Sequence, residues 1–420
     1  MSAEVHSLSN GFRIVTEVMP GFKSAALGIW VTAGGRHERI EQNGIAHFLE
    51  HMAFKGTRRR SAVQIAEAIE DVGGHINAYT SREMTAYFAR VLEADVPLAM
   101  DVIGDIVLNP VFDPAEIEVE RGVILQEIGQ VQDTPDDIIF DWLQEAAYPD
   151  QALGRSILGP TERVRSFSRA DLAGFVREHY APDQMILSAT GAVDHDEIVR
   201  LAEKLFGDLQ PAGHDTASPA LFSGGEKRMV RPLEQAHFAL AFEAPGYRDP
   251  QVYTAQIYAS ALGGAMSSRL FQEIREKRGL CYTIFAQAGA FADTGMVTIY
   301  AGTSGAQLRE LGELTMSELG RAAQDMTPVE VARARTQMKA GLLIGLESPS
   351  ARAERLAHLL AVWDRIPDLE ETIARIDAVT TGDVKAFGAD LVTSGRGAMA
   401  LYGPVEDAPD LATLQGGRAA

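Results

Sequence analysis

Two histidines four residues apart, with a glutamate directly before the second, stand at His47, Glu50 and His51 in the run IAHFLEHMAF. On a helix such histidines share a face, so both imidazoles can meet one metal ion while Glu50 sits beside that face. A hydrolytic metal site needs a third protein ligand, an open position for water, and a carboxylate that takes the water's proton without binding the metal. The H-x-x-E-H order, the reverse of H-E-x-x-H, meets the histidine and carboxylate parts of that need. A buried amphipathic helix with two satisfied histidines would leave the same pattern. The third ligand must come from elsewhere, and VERGVILQEIGQ offers Glu120 and Glu127, two helical turns apart and pointing the same way. Spacing does not choose between them, and both also fit an ordinary solvated helix face.

Several elements must position these groups. Ser61 and Gln64 form a capping-box pattern and Gly73-Gly74 supplies a stop, which predicts a helix from Ser61 to Val72. INAYT and TAYFARV then alternate around Ser81-Arg82-Glu83 as a half-buried hairpin does. Asp113-Pro114-Ala115-Glu116 supplies a cap, a first-turn proline and an acidic third position, so a helix is expected from there through Glu127. Thr327-Pro328-Val329-Glu330 repeats that start signal ahead of MKAGLLIGLE and ARAERLAHLLAVW. SAALGIWVTAG near the start is echoed by AHFALAFEAPG later, each followed by a helical stretch and a strand pair, which suggests a diverged duplication. The fold class expected is α+β in both halves, sheets covered by helices. The Pro-, Gly- and Ser-containing stretch 207–231 reads as a linker between domains 1–206 and 232–420.

Composition narrows the function. At 420 residues and 46% hydrophobic the chain can bury two cores. One cysteine, Cys281, excludes an internal disulfide framework and a cysteine-rich metal ribbon, so a metal must use His and carboxylate. A formal net charge of −20 argues against nucleic acid and would draw cationic partners, although acidity also serves plain solubility. No apolar run reaches spanning length and the first residues lack a signal-peptide pattern, so a cytoplasmic protein without membrane insertion is expected.

The order of motifs resembles the pitrilysin-like zinc peptidases, also called inverzincins, and most of all the subfamily of the mitochondrial processing peptidase β-subunit. The segments that carry the likeness are LSNGFRIVTE, GIAHFLEHMAFKGT, GGHINAYTSREMTAYFARV, VERGVILQEI, GRSILGP and YAPDQMILSATGAVDHDEI. The resemblance implies two similar α/β-sandwich domains of the LuxS/MPP-like metallohydrolase fold, each a mostly antiparallel sheet covered by helices. It also implies one Zn2+ per chain on His47, His51 and Glu127, with Glu50 as general base and Glu120 backing a ligand without binding the metal. His and carboxylate ligands accept manganese or cobalt as well. Asn77 and Ala78 match the edge strand to which an extended peptide substrate adds its backbone. Arg275 and Tyr282, in RLFQEIREKRGLCYTIFA, match a pair that contacts substrate and steadies the tetrahedral intermediate. Because one chain keeps both the metal set and this pair, a homodimer is expected. Asp137 and Asp141, four apart in GQVQDTPDDIIFDWL, match acids that receive an arginine of basic targeting peptides, and they equally fit a solvated acidic face.

The function expected is therefore a zinc-dependent endopeptidase for extended, basic peptides. A general oligopeptide-clearing enzyme and a non-catalytic structural subunit, as in the bc1 complex, are the alternatives.

Overall fold

A computed structural model describes residues 3–212 and 217–416. In chain order its first part runs β1 (Glu4–Ser7), β2 (Arg13–Val18), β3 (Ser24–Val31), α1 (Ile45–Ala53), α2 (Ala62–Glu70), β4 (His75–Thr80) and β5 (Thr85–Leu92). Next come α3 (Val96–Leu108), α4 (Pro114–Gln132), α5 (Pro135–Ala147), α6 (Thr161–Ser166), α7 (Arg169–His179), β6 (Met185–Gly191) and α8 (His195–Phe206). The later part comprises β7 (Gly225–Val230), β8 (Ala236–Ala244), α9 (Val252–Gly263), β9 (Cys281–Ala290) and β10 (Gly295–Thr303). It continues with α10 (Leu308–Asp325), α11 (Pro328–Gly345), α12 (Pro349–Trp363), α13 (Leu369–Ala378), α14 (Thr381–Thr393), β11 (Gly397–Gly403) and α15 (Leu411–Leu414).

The start signals act where the sequence puts them. Ser61 Oγ accepts the Gln64 N–H while Gln64 Oε1 accepts the Ser61 N–H, closing both halves of the capping box of α2. Asp113 Oδ1 accepts the Ala115 N–H at 2.8 Å at the start of α4. In the hairpin, Thr80 pairs with Thr85 and the Ser81 N–H donates to the Met84 carbonyl at 2.7 Å, so β4 and β5 are tightly joined.

Two mixed sheets result, ordered β1-β2-β6-β3-β5-β4 and β7-β11-β8-β10-β9. Setting β1 aside, the second order repeats the first strand for strand. Each has one parallel pair, β2 with β6 and β7 with β11, and antiparallel pairs elsewhere. The expected duplication thus reaches the level of sheet topology, and both units are α/β layers with helices over the sheet.

The units do not follow the linear division at 207–231. The first is made of Met1–Gly129, Arg155–Ser218 and Leu343–Asp368, and the second of Gln130–Gly154, Pro219–Leu342 and Leu369–Ala420. Each half of the chain lends the other a helix. α12 lays Ala353, Leu356, Ala357 and Leu360 against Val15, Ala26, Trp30 and Ile186 of the first sheet. α5 puts Ile139, Leu143 and Ala147 against Ala239, Ala241 and Ala400 of the second. A sheet with apolar side chains on both faces needs cover on both, and here the cover for one face comes from far along the chain. Part of the expected linker is also a strand. β7 has mostly polar, half-exposed residues, so it lacks the apolar alternation that would mark it, yet it pairs in parallel with β11 from Gly225 to Val230. Residues 213–216 of that stretch lie outside the described residues.

Candidate metal centre

α1 and α4 build the site. α1 buries Ile45, Ala46, Phe48, Leu49 and Met52 in a core that also holds Ile117, Ile124 and Ile128 of α4. Those isoleucines and the two glutamates, at 117, 120, 124, 127 and 128, form one stripe at helical spacing, so the packing that seats α4 on α1 also turns Glu120 and Glu127 toward it.

His47 Nε2 and His51 Nε2 each lie 3.5 Å from Glu127 Oε2. Ligand atoms from His47, His51 and Glu127 all fall within 4.8 Å of one another. Tetrahedral ligands about 2.0–2.2 Å from a shared ion stand roughly 3.3–3.6 Å apart, so the two His–Glu separations fit a zinc-sized ion without rearrangement. Two nitrogens and one oxygen are also the donor set of a hydrolytic zinc with a position left for water. Glu120 is not in this trio. Its Oε2 lies 3.0 Å from His51 Nδ1, on the far nitrogen of the imidazole.

The protonation states reflect burial and neighbours. Burial holds His47 well below the ordinary imidazole range, with Glu127 opposing and His51 reinforcing it, so this ring is neutral and able to bind a cation. Burial pulls His51 down too, but hydrogen bonds and charge from Glu127 and Glu120 outweigh it and leave the group raised. Glu127 is lowered, first by its hydrogen bond with His51. Glu50 is raised by burial against hydrogen bonding from Thr80 on β4, and it feels the charges of His51 and Glu127. Glu50 is not among the residues whose ligand atoms converge.

Three further features carry no local sequence signal. Glu38, 3% exposed, accepts hydrogen bonds from the Gly44 N–H, the Ala46 N–H and the Asn43 side chain, at 2.9, 2.9 and 3.0 Å. A carboxylate at this end satisfies orphan amides and complements the helix dipole. Arg155, from the GRSILGP segment, donates to the Glu38 carbonyl. Gly44, at φ +98°, precedes the first turn, where a Cβ would fall 2.7 Å from the Leu158 carbonyl oxygen. The third is a pair of tyrosines, the buried Tyr87 and the half-buried Tyr180, whose hydroxyls are 2.8 Å apart. Burial raises both phenols and the Glu50 charge adds to it, so they stay protonated donors.

The remaining expected residues are spread over both units. β4 is an edge strand paired only with β5 among the described residues, and there Asn77 Oδ1 accepts the Ala78 N–H at 2.9 Å. In the second unit Arg275 lies in a π-helical turn, Phe271–Glu276. Its guanidinium stands over the rings of Phe271 and Tyr282, 4.4 and 5.2 Å from their centroids, with no carboxylate partner among the described residues. Tyr282 is 80% exposed. Asp137 and Asp141 share a face of α5, the first exposed and the second half-buried. Cys281 is buried and free. Among the described residues no helix is long and apolar enough to cross a membrane.

Residues 13–161 match the family model Insulinase (Peptidase family M16), and residues 166–338 match the model Peptidase M16 inactive domain. An uncharacterized zinc protease of Streptomyces coelicolor is 37% identical over 96% of this chain and 89% of its own length. One of Bacillus subtilis is 36% identical over 96% and 99%. A protein of Arabidopsis thaliana named "Probable mitochondrial-processing peptidase subunit beta" is 38% identical over 97% and 79%. Among solved structures, a protease from Helicobacter pylori has the same fold at TM-score 0.88 and 20% identity, covering 96% of this chain and 99% of its own. A chain of complex III2 from Candida albicans, at TM-score 0.88 and 23% identity with 99% of each chain covered, shares it too. Similarity of this degree along nearly the whole length assigns the protein to peptidase family M16.

Proposed function

We propose that this chain is a zinc-dependent endopeptidase that cuts extended, basic peptides, with His47, His51 and Glu127 holding one ion and Glu50 acting as general base. The observation that carries the reading is the convergence of two imidazole nitrogens on one Glu127 oxygen, 3.5 Å from each. A bound ion would supply Lewis acidity toward the scissile carbonyl and lower the pKa of a coordinated water. Glu50, beside the trio and outside it, takes the attacking water's proton and returns it to the leaving amine. The outer edge of β4 receives the substrate as an added strand at Asn77 and Ala78. Arg275 and Tyr282 contact substrate and the developing oxyanion, a role supported by a guanidinium that stands over two aromatic faces and is used by no carboxylate among the described residues. Asp137 and Asp141 receive a substrate arginine, in keeping with the net charge of −20.

The same reading includes a homodimer and a cytoplasmic setting, for which a single free, buried cysteine needs no oxidising compartment. The test is metal content and cleavage of an arginine-containing peptide by the purified full chain, alongside Glu50→Gln and a neutral peptide. About one zinc per chain, with cleavage lost on chelation and in a variant that still binds zinc, is the expected result. Equal cleavage of the neutral peptide would favour general oligopeptide clearance. Neither metal nor cleavage would favour the non-catalytic core-type role. Sedimentation of the same sample checks the dimer.

A further inference from the structure

Glu120 is almost fully buried, with its side chain 5% exposed, and divides its carboxylate between two partners. Oε2 faces His51 Nδ1 at 3.0 Å, and Oε1 receives the Lys55 ammonium at 2.6 Å. Lys55 lies just past the end of α1, and its backbone N–H donates to the Met52 carbonyl at 3.2 Å. The lysine is thus tied by its backbone to the helix that carries His51 and by its side chain to the glutamate that faces His51. A surface lysine pairing with a surface acid would be worth little. Here the acid is buried, and a buried carboxylate deprived of its counter-charge is strongly disfavoured.

We propose that Lys55 is a positioning residue for the metal centre: its ammonium fixes Glu120 so that one carboxylate oxygen stays on His51 Nδ1, which orients the imidazole with Nε2 toward Glu127. The inference rests on reading His47, His51 and Glu127 as the metal ligands. Among the described residues no hydrogen bond or ion pair joins the Lys55 side chain to the trio, so its effect passes through Glu120. Partners that orient a ligating histidine are worth about 10- to 100-fold in metal affinity. Arginine in place of Lys55 keeps the charge and the reach, whereas methionine keeps the aliphatic stem alone. Because Lys55 is 29% exposed, the methionine variant has room to fold, and Lys55→Gln provides a second neutral variant.

The experiment measures zinc affinity of the full chain by competition with a chromophoric chelator, with circular dichroism as the check on folding. Lys55→Met and Lys55→Gln are expected to weaken zinc binding by about 10- to 100-fold, and Lys55→Arg to leave it close to wild type. Glu120→Gln should weaken it similarly, and Lys55→Met added to Glu120→Gln should do no further harm, since the route is already cut. Unchanged affinity in folded Lys55→Met and Lys55→Gln overturns the proposal, as does a double variant whose losses multiply. Wild-type affinity in His47→Ala and Glu127→Gln would instead overturn the ligand assignment on which it rests.

Discussion

The carboxylate of Glu38 accepts the backbone N–H of Ala46 at 2.9 Å, one residue before His47. A second oxygen of the same group takes the Gly44 N–H and the Asn43 side chain. The helix that presents His47, Glu50 and His51 is therefore anchored at its start by one buried side chain from outside it.

Glu38→Ala leaves the buried Gly44 and Ala46 N–H groups without their acceptor and takes one of two acceptors from the Asn43 amide. Such losses cost about 1–3 kcal/mol for each buried group left unsatisfied, so a clear drop in the urea midpoint is expected, together with weaker zinc binding in chelator competition. An unchanged midpoint would mean that α1 starts correctly without this anchor.

The same group sets a pH dependence. Burial pushes Glu38 from 4.5 up to about 7, against hydrogen bonds from Ala46, Asn43 and Gly44. A raised carboxyl holds its proton more tightly in the folded chain than in the unfolded one. Its contribution is therefore neutral below the unfolded value and erodes stability as pH rises from there through about 7. Wild type minus Glu38→Gln should lose stability over that window in a urea series at stepped pH. Parallel curves for the two proteins would remove Glu38 as the source.

Gly44→Ala places a Cβ 2.7 Å from the Leu158 carbonyl oxygen in a residue at φ +98°. Strain of this kind costs about 1–3 kcal/mol. Lower thermal stability and weaker metal retention are expected together, because the distortion falls at the first turn of α1. A variant that melts and binds zinc like wild type would contradict this.

Ile124, fully buried between the two glutamates on α4, joins that helix to α1. Ile124→Ala should cost about 2–5 kcal/mol. It should also reduce zinc affinity, since the same contact aims Glu127. Stability lost with affinity intact would show that the carboxylates are held independently of the isoleucine stripe.

Phe271→Leu removes one of the two rings beneath Arg275. Cation–π contacts are worth about 0.5–2 kcal/mol, so a several-fold fall in kcat/KM with unchanged zinc content is expected. Phe271→Trp should restore it. Equal activity in the leucine variant would show that Tyr282 alone suffices to place the guanidinium.

What the sequence disclosed and what it withheld divide along a physical line. Ser61 with Gln64 and Asp113 with Pro114 act within one turn of where they stand, so the starts of α2 and α4 were readable. The seven-residue spacing of Glu120 and Glu127 placed both on one face but could not rank them, because the distinction depends on which imidazole nitrogen each meets. Glu38 reaches α1 across an irregular loop, where no periodicity links it to Ala46. The segment of α12 follows a helix start signal, yet an apolar stripe says only that a helix needs a sheet, not which one. β7 carries no strand signal of its own, because a polar strand looks like a tether until its partner, encoded at the far end of the chain, is known.

The borrowed helix α12 has a consequence for biosynthesis. A ribosome must pass Trp363 before the first sheet can receive Leu356 and Leu360 over Trp30 and Ile186. Until then a nascent chain carrying His47, His51 and Glu127 exposes the apolar face that those residues seal. Splitting the gene at the apparent linker would strand α5 with the wrong fragment and α12 with the other, so the two products should complement each other when co-expressed and aggregate when made alone.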